Sequence, residues 1–214
     1  MAIVIKSICG HLSGDVGSTV DQGKNDKSLV RDVPDPLAPK KPLTEGQRIQ
    51  REKFEVLKTF LKPFSKVLDV GFKNQASGLT PKTKALAVNL PRMIIGYNKE
   101  ILLNVVDLKL SEGYAARLGN LQMEDKGGGL FRLTWDKCDN ILGKYNVISL
   151  VLYDDNQHKV FYTPNLTPVN RQEAEFLLGD LVGHWVHVYV FTVGVKVKGV
   201  KNSNSNSQYL GMVS

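Results

Sequence analysis

Cysteine is nearly absent from this 214-residue chain: Cys9 and Cys138 are the only two, and they stand far apart. Such a pair builds no disulfide framework and lacks the spacing of a zinc site. Two thiols in a reducing compartment are the expectation. Long apolar runs are missing as well. None reaches the roughly 18 residues of a membrane-spanning helix, so no membrane span is expected. Met1 to Ile5 is too short for the apolar region of a secretory signal, and Lys6 follows it. The default expectation is a cytoplasmic location or a place in an assembled particle or filament.

Chemistry-bearing patterns are equally scarce. No Gly-x-Ser-x-Gly elbow occurs. Gly17 to Lys24 comes near a phosphate-binding P-loop, yet five residues separate Gly17 from Gly23 where the motif needs four, and Asn25 stands where Ser or Thr is required. The four histidines are His11, His158, His184 and His187. His184 and His187 stand three apart in a predicted strand and so point to opposite faces, which denies them a shared metal. Asp154-Asp155 offers carboxylates to a cation, but a turn between strands uses the same residues. Asn165-Leu166-Thr167 matches a glycosylation sequon, which carries little weight without a secretory signal. No acid/base pair or nucleophile constellation can be assembled, so the chain is expected to be no enzyme and to hold no cofactor or metal.

What is present is the composition of a folded protein: 42% hydrophobic and 23% charged residues support a packed core, and 19 glycines suit a turn-rich β architecture. The net charge of +7 is unevenly spread. Residues 23–99 hold 16 Lys/Arg against 7 Asp/Glu, a balance of +9, whereas residues 1–22 and 100–214 each stand at −1. A polyanion would land on the middle segment.

Three regions follow from the pattern. Residues 1–43 read as an N-terminal β-arm and a Pro-rich spacer. Ile3-Val4-Ile5, Val16–Val20 and Ser28–Val30 are strand-prone, with turns at Gly10–Gly14 and Gly23–Lys27. The arm's apolar side chains are few (Ile3, Val4, Ile5, Leu12, Val16, Val20, Leu29 and Val30), so it is expected to need borrowed surface. Pro34, Pro36, Pro39 and Pro42 make a semi-rigid spacer.

Residues 44–99 read as a basic helical module. Thr44 and Gln47 have capping-box spacing, and Phe54, Leu57, Leu61, Phe64 and Leu68 share one helical face. Pro63 should divide that helix, Gly71 should end its second piece, and Thr80-Pro81 should open another over 81–90. Lys40, Lys41, Arg48, Arg51, Lys58 and Lys62 are the candidate polyanion contacts.

Residues 100–214 change to a period of two. Strands are expected over Ile101–Leu110, Leu118–Glu124, Leu130–Trp135, Val147–Tyr153, Lys159–Tyr162, Glu173–Leu177, Trp185–Val193 and Ser207–Met212. In the strongest, Trp185, His187, Tyr189, Phe191 and Val193 share one face and Val186, Val188 and Val190 the other, as a central strand of a sandwich requires. The expected fold is therefore mainly β: an immunoglobulin- or fibronectin-III-like sandwich preceded by helices and a β-arm.

Three landmarks carry a resemblance. They are Gly10-His11-Leu12-Ser13-Gly14-Asp15-Val16-Gly17; Leu43-Thr44-Glu45-Gly46-Gln47-Arg48-Ile49-Gln50-Arg51-Glu52-Lys53-Phe54 with Phe60-Leu61-Lys62-Pro63 and Gly71-Phe72-Lys73; and Ser205-Asn206-Ser207-Gln208-Tyr209-Leu210-Gly211. In these the chain resembles, along nearly its whole length, a bacterial family of unknown function. It departs from that family at Gln22-Gly23-Lys24, where relatives tend to carry an aromatic residue before Lys-Gly. The resemblance implies no activity; it implies that arm, helices and sandwich form one unit.

The leading functional expectation is a structural, self-assembling protein whose arm pairs with a neighbouring copy, giving a homo-oligomer or polymer. A nucleic acid or acidic surface held by the basic helix is the second. A sandwich that binds protein or carbohydrate through its loops is the third.

Overall fold

The computed structural model describes residues 42–73, 78–96, 101–138, 146–194 and 204–214 in full, and the backbone alone of 2–4, 14–16, 19–24 and 27–32. Ile5, Cys9, His11, Leu12, Lys40, Lys41 and the prolines from Pro34 to Pro39 lie outside the described residues. The chain divides into two units, Met1–Thr44 and Glu45–Ser214.

In the first unit, short β-prone runs punctuated by Gly, Asn and Asp pair with one another. The strands are β1 (Ala2–Val4), β2 (Gly14–Val16), β3 (Thr19–Lys24) and β4 (Lys27–Asp32). They form one antiparallel sheet in the order β1-β4-β3-β2. The strand expected over Val16–Val20 falls on two strands instead of one: β2 ends at Val16 and β3 begins at Thr19. The expected turn at Gly23 also shifts. β3 runs through Lys24, which pairs with Lys27. The segment supplies its own inner ladders.

In the second unit the expected helices form. α1 (Glu45–Leu61) stops before Pro63, whose missing N–H ends the ladder, and α2 (Ser65–Gly71) follows. Gly71 is required by close approach: a Cβ there would meet the carbonyl oxygen of Leu110 at 2.0 Å. α3 (Pro81–Met93) is capped by Thr80, whose Oγ1 accepts from the Thr83 N–H at 3.3 Å, with Pro81 in the first turn. It runs past Pro91, because the carbonyl left without a donor belongs to Ala87 on the exposed side.

The strand expected over Ile101–Leu110 does not form at that length. Only β5 (Ile94–Ile95) and β6 (Leu102–Leu103) pair; a 3-10 turn over Val105–Asp107 follows. Asn104 captures it, its Oδ1 accepting from the Val106 N–H at 3.2 Å, the local bonding that draws Asn out of strands. The remaining strands are β7 (Gln122–Gly127), β8 (Leu130–Thr134), β9 (Val147–Asp154), β10 (Lys159–Pro168), β11 (Glu173–Leu177), β12 (Val186–Val193) and β13 (Gln208–Val213). β7 starts later than expected because Asn120, with φ of 45°, turns the chain before it.

Two antiparallel sheets result, β10-β9-β12-β13 and β11-β8-β7. β8 and β11 alternate, burying Phe131, Leu133, Ala174 and Phe176 while Arg132 and Glu175 pair across the outer face at 3.0 Å. The buried residues meet Ile148, Leu150, Leu152, Val186, Val188 and Val190 in one core. Trp135 closes its end, its Nε1–H donating to Val169 O at 2.8 Å. The opposite face of β9 and β12 carries Val151, Tyr153, Tyr189 and Phe191 into a second core with Leu57, Leu61, Phe64, Leu68 and Met93. β12 is thus central and apolar on both faces, as its pattern predicts. The helices and the β region, read from sequence as 44–99 and 100–214, are layers over one shared sheet: helices, four strands, three strands. The protein is mainly β.

Candidate functional site

The arm residues assigned from sequence fall on the first unit's strands: Ile3 and Val4 on β1, Val16 on β2, Val20 on β3, Leu29 and Val30 on β4. The register shows how much of each inner strand is covered. β1 pairs with Ser28, Leu29 and Val30 of six-residue β4, and β2 with Thr19, Val20 and Asp21 of six-residue β3. Among the described residues, Gln22–Lys24 of β3 and Lys27, Arg31 and Asp32 of β4 have no outer neighbour.

Of the basic residues assigned from sequence, Arg48, Arg51 and Lys58 lie on α1 and Lys62 directly follows it. Arg48, Arg51, Lys58 and Lys62 are exposed, and Leu57 and Leu61 are buried. Two of the four cations are held by carboxylates one turn away: Arg48 Nη2 lies 2.9 Å from Glu45 Oε1, and Lys58 Nζ 3.3 Å from Glu55 Oε1. Exposed pairs of this kind contribute roughly 0–1 kcal/mol, but they lower the field the face presents. Arg51 and Lys62 form no ion pair among the described residues.

His158, His184, His187 and Asp154 gather at one end of the four-stranded sheet, in a pattern that only part of the sequence reading anticipates. Asp154 is fully buried at the β9–β10 turn. Its Oδ1 accepts from the Asn156 and Gln157 N–H groups at 2.9 and 3.2 Å, and its Oδ2 lies 2.8 Å from His184 Nδ1. Burial alone pushes this carboxyl up, but the bonds from His184, Gln157 and Asn156 outweigh it and hold it below the ordinary carboxylate range. His184 lies before β12 rather than in it, so the opposite-faces argument does not apply as stated; His184 and His187 nevertheless bond to different partners. His187 stacks on Tyr153 at 6.0 Å and lies 5.8 Å from the ring of Tyr209, whose hydroxyl is 2.9 Å from His187 Nδ1. Tyr153 reaches His158 Nδ1 at 3.0 Å, and Tyr189 donates to Val105 O at 2.6 Å. The array ties β9, β12, β13 and the Val105 turn together. Its sequence signal was the Tyr and His recurrence on strands that proved to be neighbours.

Two of the sequence landmarks meet in the fold. Ser111 Oγ lies 3.1 Å from Gly71 O and 2.8 Å from Ser205 O, and Asn204 Nδ2 donates to Val70 O at 2.7 Å. The segment leading into β13 is thereby fixed to the end of α2. Among the described residues, no His, Cys, Asp and Glu group has metal-binding geometry, and no helix is long and apolar enough to cross a membrane.

These features define a mainly β protein with a separate N-terminal sheet and a helix-backed pair of sheets. The chain belongs to the family of unknown function DUF6266, whose model matches residues 11–211 and so spans parts of both units. No curated protein and no solved structure matches the chain.

Proposed function

We propose that this is a non-enzymatic self-assembling protein whose N-terminal sheet joins a neighbouring copy by strand addition. The observation that carries the reading is that, among the described residues, each outer strand of that sheet covers half of its inner neighbour: three-residue β1 and β2 against six-residue β4 and β3. A strand from another copy would satisfy the outward groups of Gln22–Lys24 or of Arg31 and Asp32. β1 meeting β1 closes a two-fold dimer; β1 meeting β2 repeats head to tail, giving a ring where the rotation closes and a filament where it does not. Light scattering over rising concentration tests this. The full chain should gain mass beyond one copy, and a chain starting at Glu45 should not. A full chain that stays monomeric at high concentration ends the reading.

The second unit is proposed to be the scaffold this assembly carries, of the fibronectin-III-like kind. Strand order supports that likeness. β7 to β13 are seven strands, split as β11-β8-β7 and β10-β9-β12-β13, so the fourth strand pairs with the third instead of the fifth. The constant-type immunoglobulin order places it beside the fifth. Polyanion contact through α1 and ligand binding by the sandwich loops are weaker proposals. The first is reduced by Glu45 and Glu55 at Arg48 and Lys58; no observation singles out the second.

A further inference from the structure

A cleft of about 290 Å³ opens at the end of the core shared by the two sheets of the second unit. Buried Leu118, Val169 and Thr192 line its floor, and exposed Arg117, Asp136 and Lys137 line its rim. Thr192 is the polar residue on that floor. It follows Val186, Val188 and Val190 at steps of two along β12, so its side chain turns with theirs toward the three-stranded sheet. Its backbone is engaged elsewhere: the N–H donates to Ser205 Oγ at 2.9 Å, and the carbonyl accepts from the Ser205 N–H at 3.0 Å. The side chain is therefore what meets the cleft. Thr192 is only 2% exposed, and its Oγ1 has no hydrogen-bond partner among the described residues. A hydroxyl so deeply buried is ordinarily bonded.

Water is a poor remedy for that hydroxyl, because a buried water needs about two to four polar partners. The other backbone groups of the floor are already bonded. Leu118 N–H donates to Gln208 Oε1 at 2.9 Å, and Leu118 O accepts from Gln208 Nε2 at 3.1 Å. Val169 N–H donates to Asn146 O at 2.9 Å, and Val169 O accepts from Trp135 Nε1 at 2.8 Å. A water beside Thr192 would gain that one bond and turn its remaining groups to Leu118 and Val169, which is costly. An organic hydroxyl makes the same bond and brings a carbon body to cover the two apolar side chains. An ionised group does not suit the floor, where nothing would pair it. Nor does the rim select one sign: Arg117 and Lys137 face it with Asp136, whose Oδ2 accepts from Asn120 Nδ2 at 2.6 Å.

We infer that this cleft binds a small uncharged alcohol or phenol, whose hydroxyl bonds Thr192 Oγ1 and whose apolar body packs on Leu118 and Val169. The volume is at the small end of ligand cavities and limits that body to about one ring. The occupant lies between the sheets, so the inference owes nothing to the assembly reading or to capture of protein or carbohydrate by the loop tips.

Titration of the full chain, followed by calorimetry and amide NMR, uses three probes of similar size: phenol, toluene and benzoate. Phenol should bind saturably, with amide shifts centred on Leu118, Val169 and Thr192, and about fivefold tighter than toluene. T192V keeps the shape and removes the hydroxyl. It should weaken phenol about fivefold and leave toluene unchanged, so that the preference disappears. T192S restores a hydroxyl and should keep the preference; T192A is read as T192V should that variant fail to fold. Absence of saturable phenol binding, shifts centred away from the cleft, or a phenol preference that survives loss of the hydroxyl would overturn the site. Benzoate binding as tightly as phenol would overturn it too, by making the charged rim the determinant.

Discussion

His187 is a buried base within a stack of rings. It is 9% exposed, with Tyr153 on one side and Tyr209 on the other. Burial lowers its pKa below the ordinary 6.5, against an upward pull from Asp155. Protonation therefore favours the unfolded chain, which takes up its proton from pH 6.5 downward while the folded one waits for lower pH. The contribution is complete above 6.5 and is lost as pH falls from there through the folded value. Asp154 acts in a different window: its depressed pKa stabilises the fold above 3.8 and is lost as pH falls below that through the folded value. Tyr153, pushed up to about 12 chiefly by burial, stays neutral throughout both. Melting temperature against pH should fall below pH 6.5 for the parent and stay flat in that window for His187→Phe, which keeps a stacked ring but removes the titration. Both should fall together below 3.8. An unchanged slope in the variant would assign the acid sensitivity to other groups.

α1 shows what a hydrophobic period does and does not reveal about an element. Phe54, Leu57, Leu61, Phe64 and Leu68 read as one stripe, yet Leu57 and Phe64 are fully buried while Phe54 is 43% exposed. The stripe has core beneath it only from Leu57 onward. Leu57→Ala should cost about 2–5 kcal/mol, and Phe54→Ser no more than about 0.5 kcal/mol, measured by chemical denaturation. Equal losses would mean that the first turns of α1 pack as tightly as the last. The period does define the helix, because spacing is local. It says nothing of where a partner layer stops, because that depends on β9 and β12, some hundred residues away. β11, by contrast, was legible to its ends: its alternation is strict, and β8 covers its whole length. Ile101–Leu110 was not, since Asn104 and Asp107 bond locally and, among the described residues, no strand lies opposite for most of its length.

Over the whole molecule, two cores on opposite faces of one sheet make Glu45–Ser214 cohere. Leu57, Phe64 and Met93 from the helices and Leu133, Phe131 and Phe176 from the smaller sheet all close on β9 and β12. Loss of either cover would bare an apolar face of that sheet, so the unit should unfold as one cooperative body. Met1–Thr44 has a different basis, four short strands whose inner ladders are supplied in cis. A small sheet has little area to bury and is marginal alone. The two units should therefore melt separately. Calorimetry of the full chain should show a weak early transition and a main later one. A chain beginning at Glu45 should keep the main transition within a few degrees and lose the early one. Raising the protein concentration should move the early transition upward, since strand addition between copies stabilises only the paired sheet, by mass action. Merged transitions, or a main transition lost with the first 44 residues, would mean that the N-terminal sheet is a structural necessity of the larger unit and not a module free to join a neighbour.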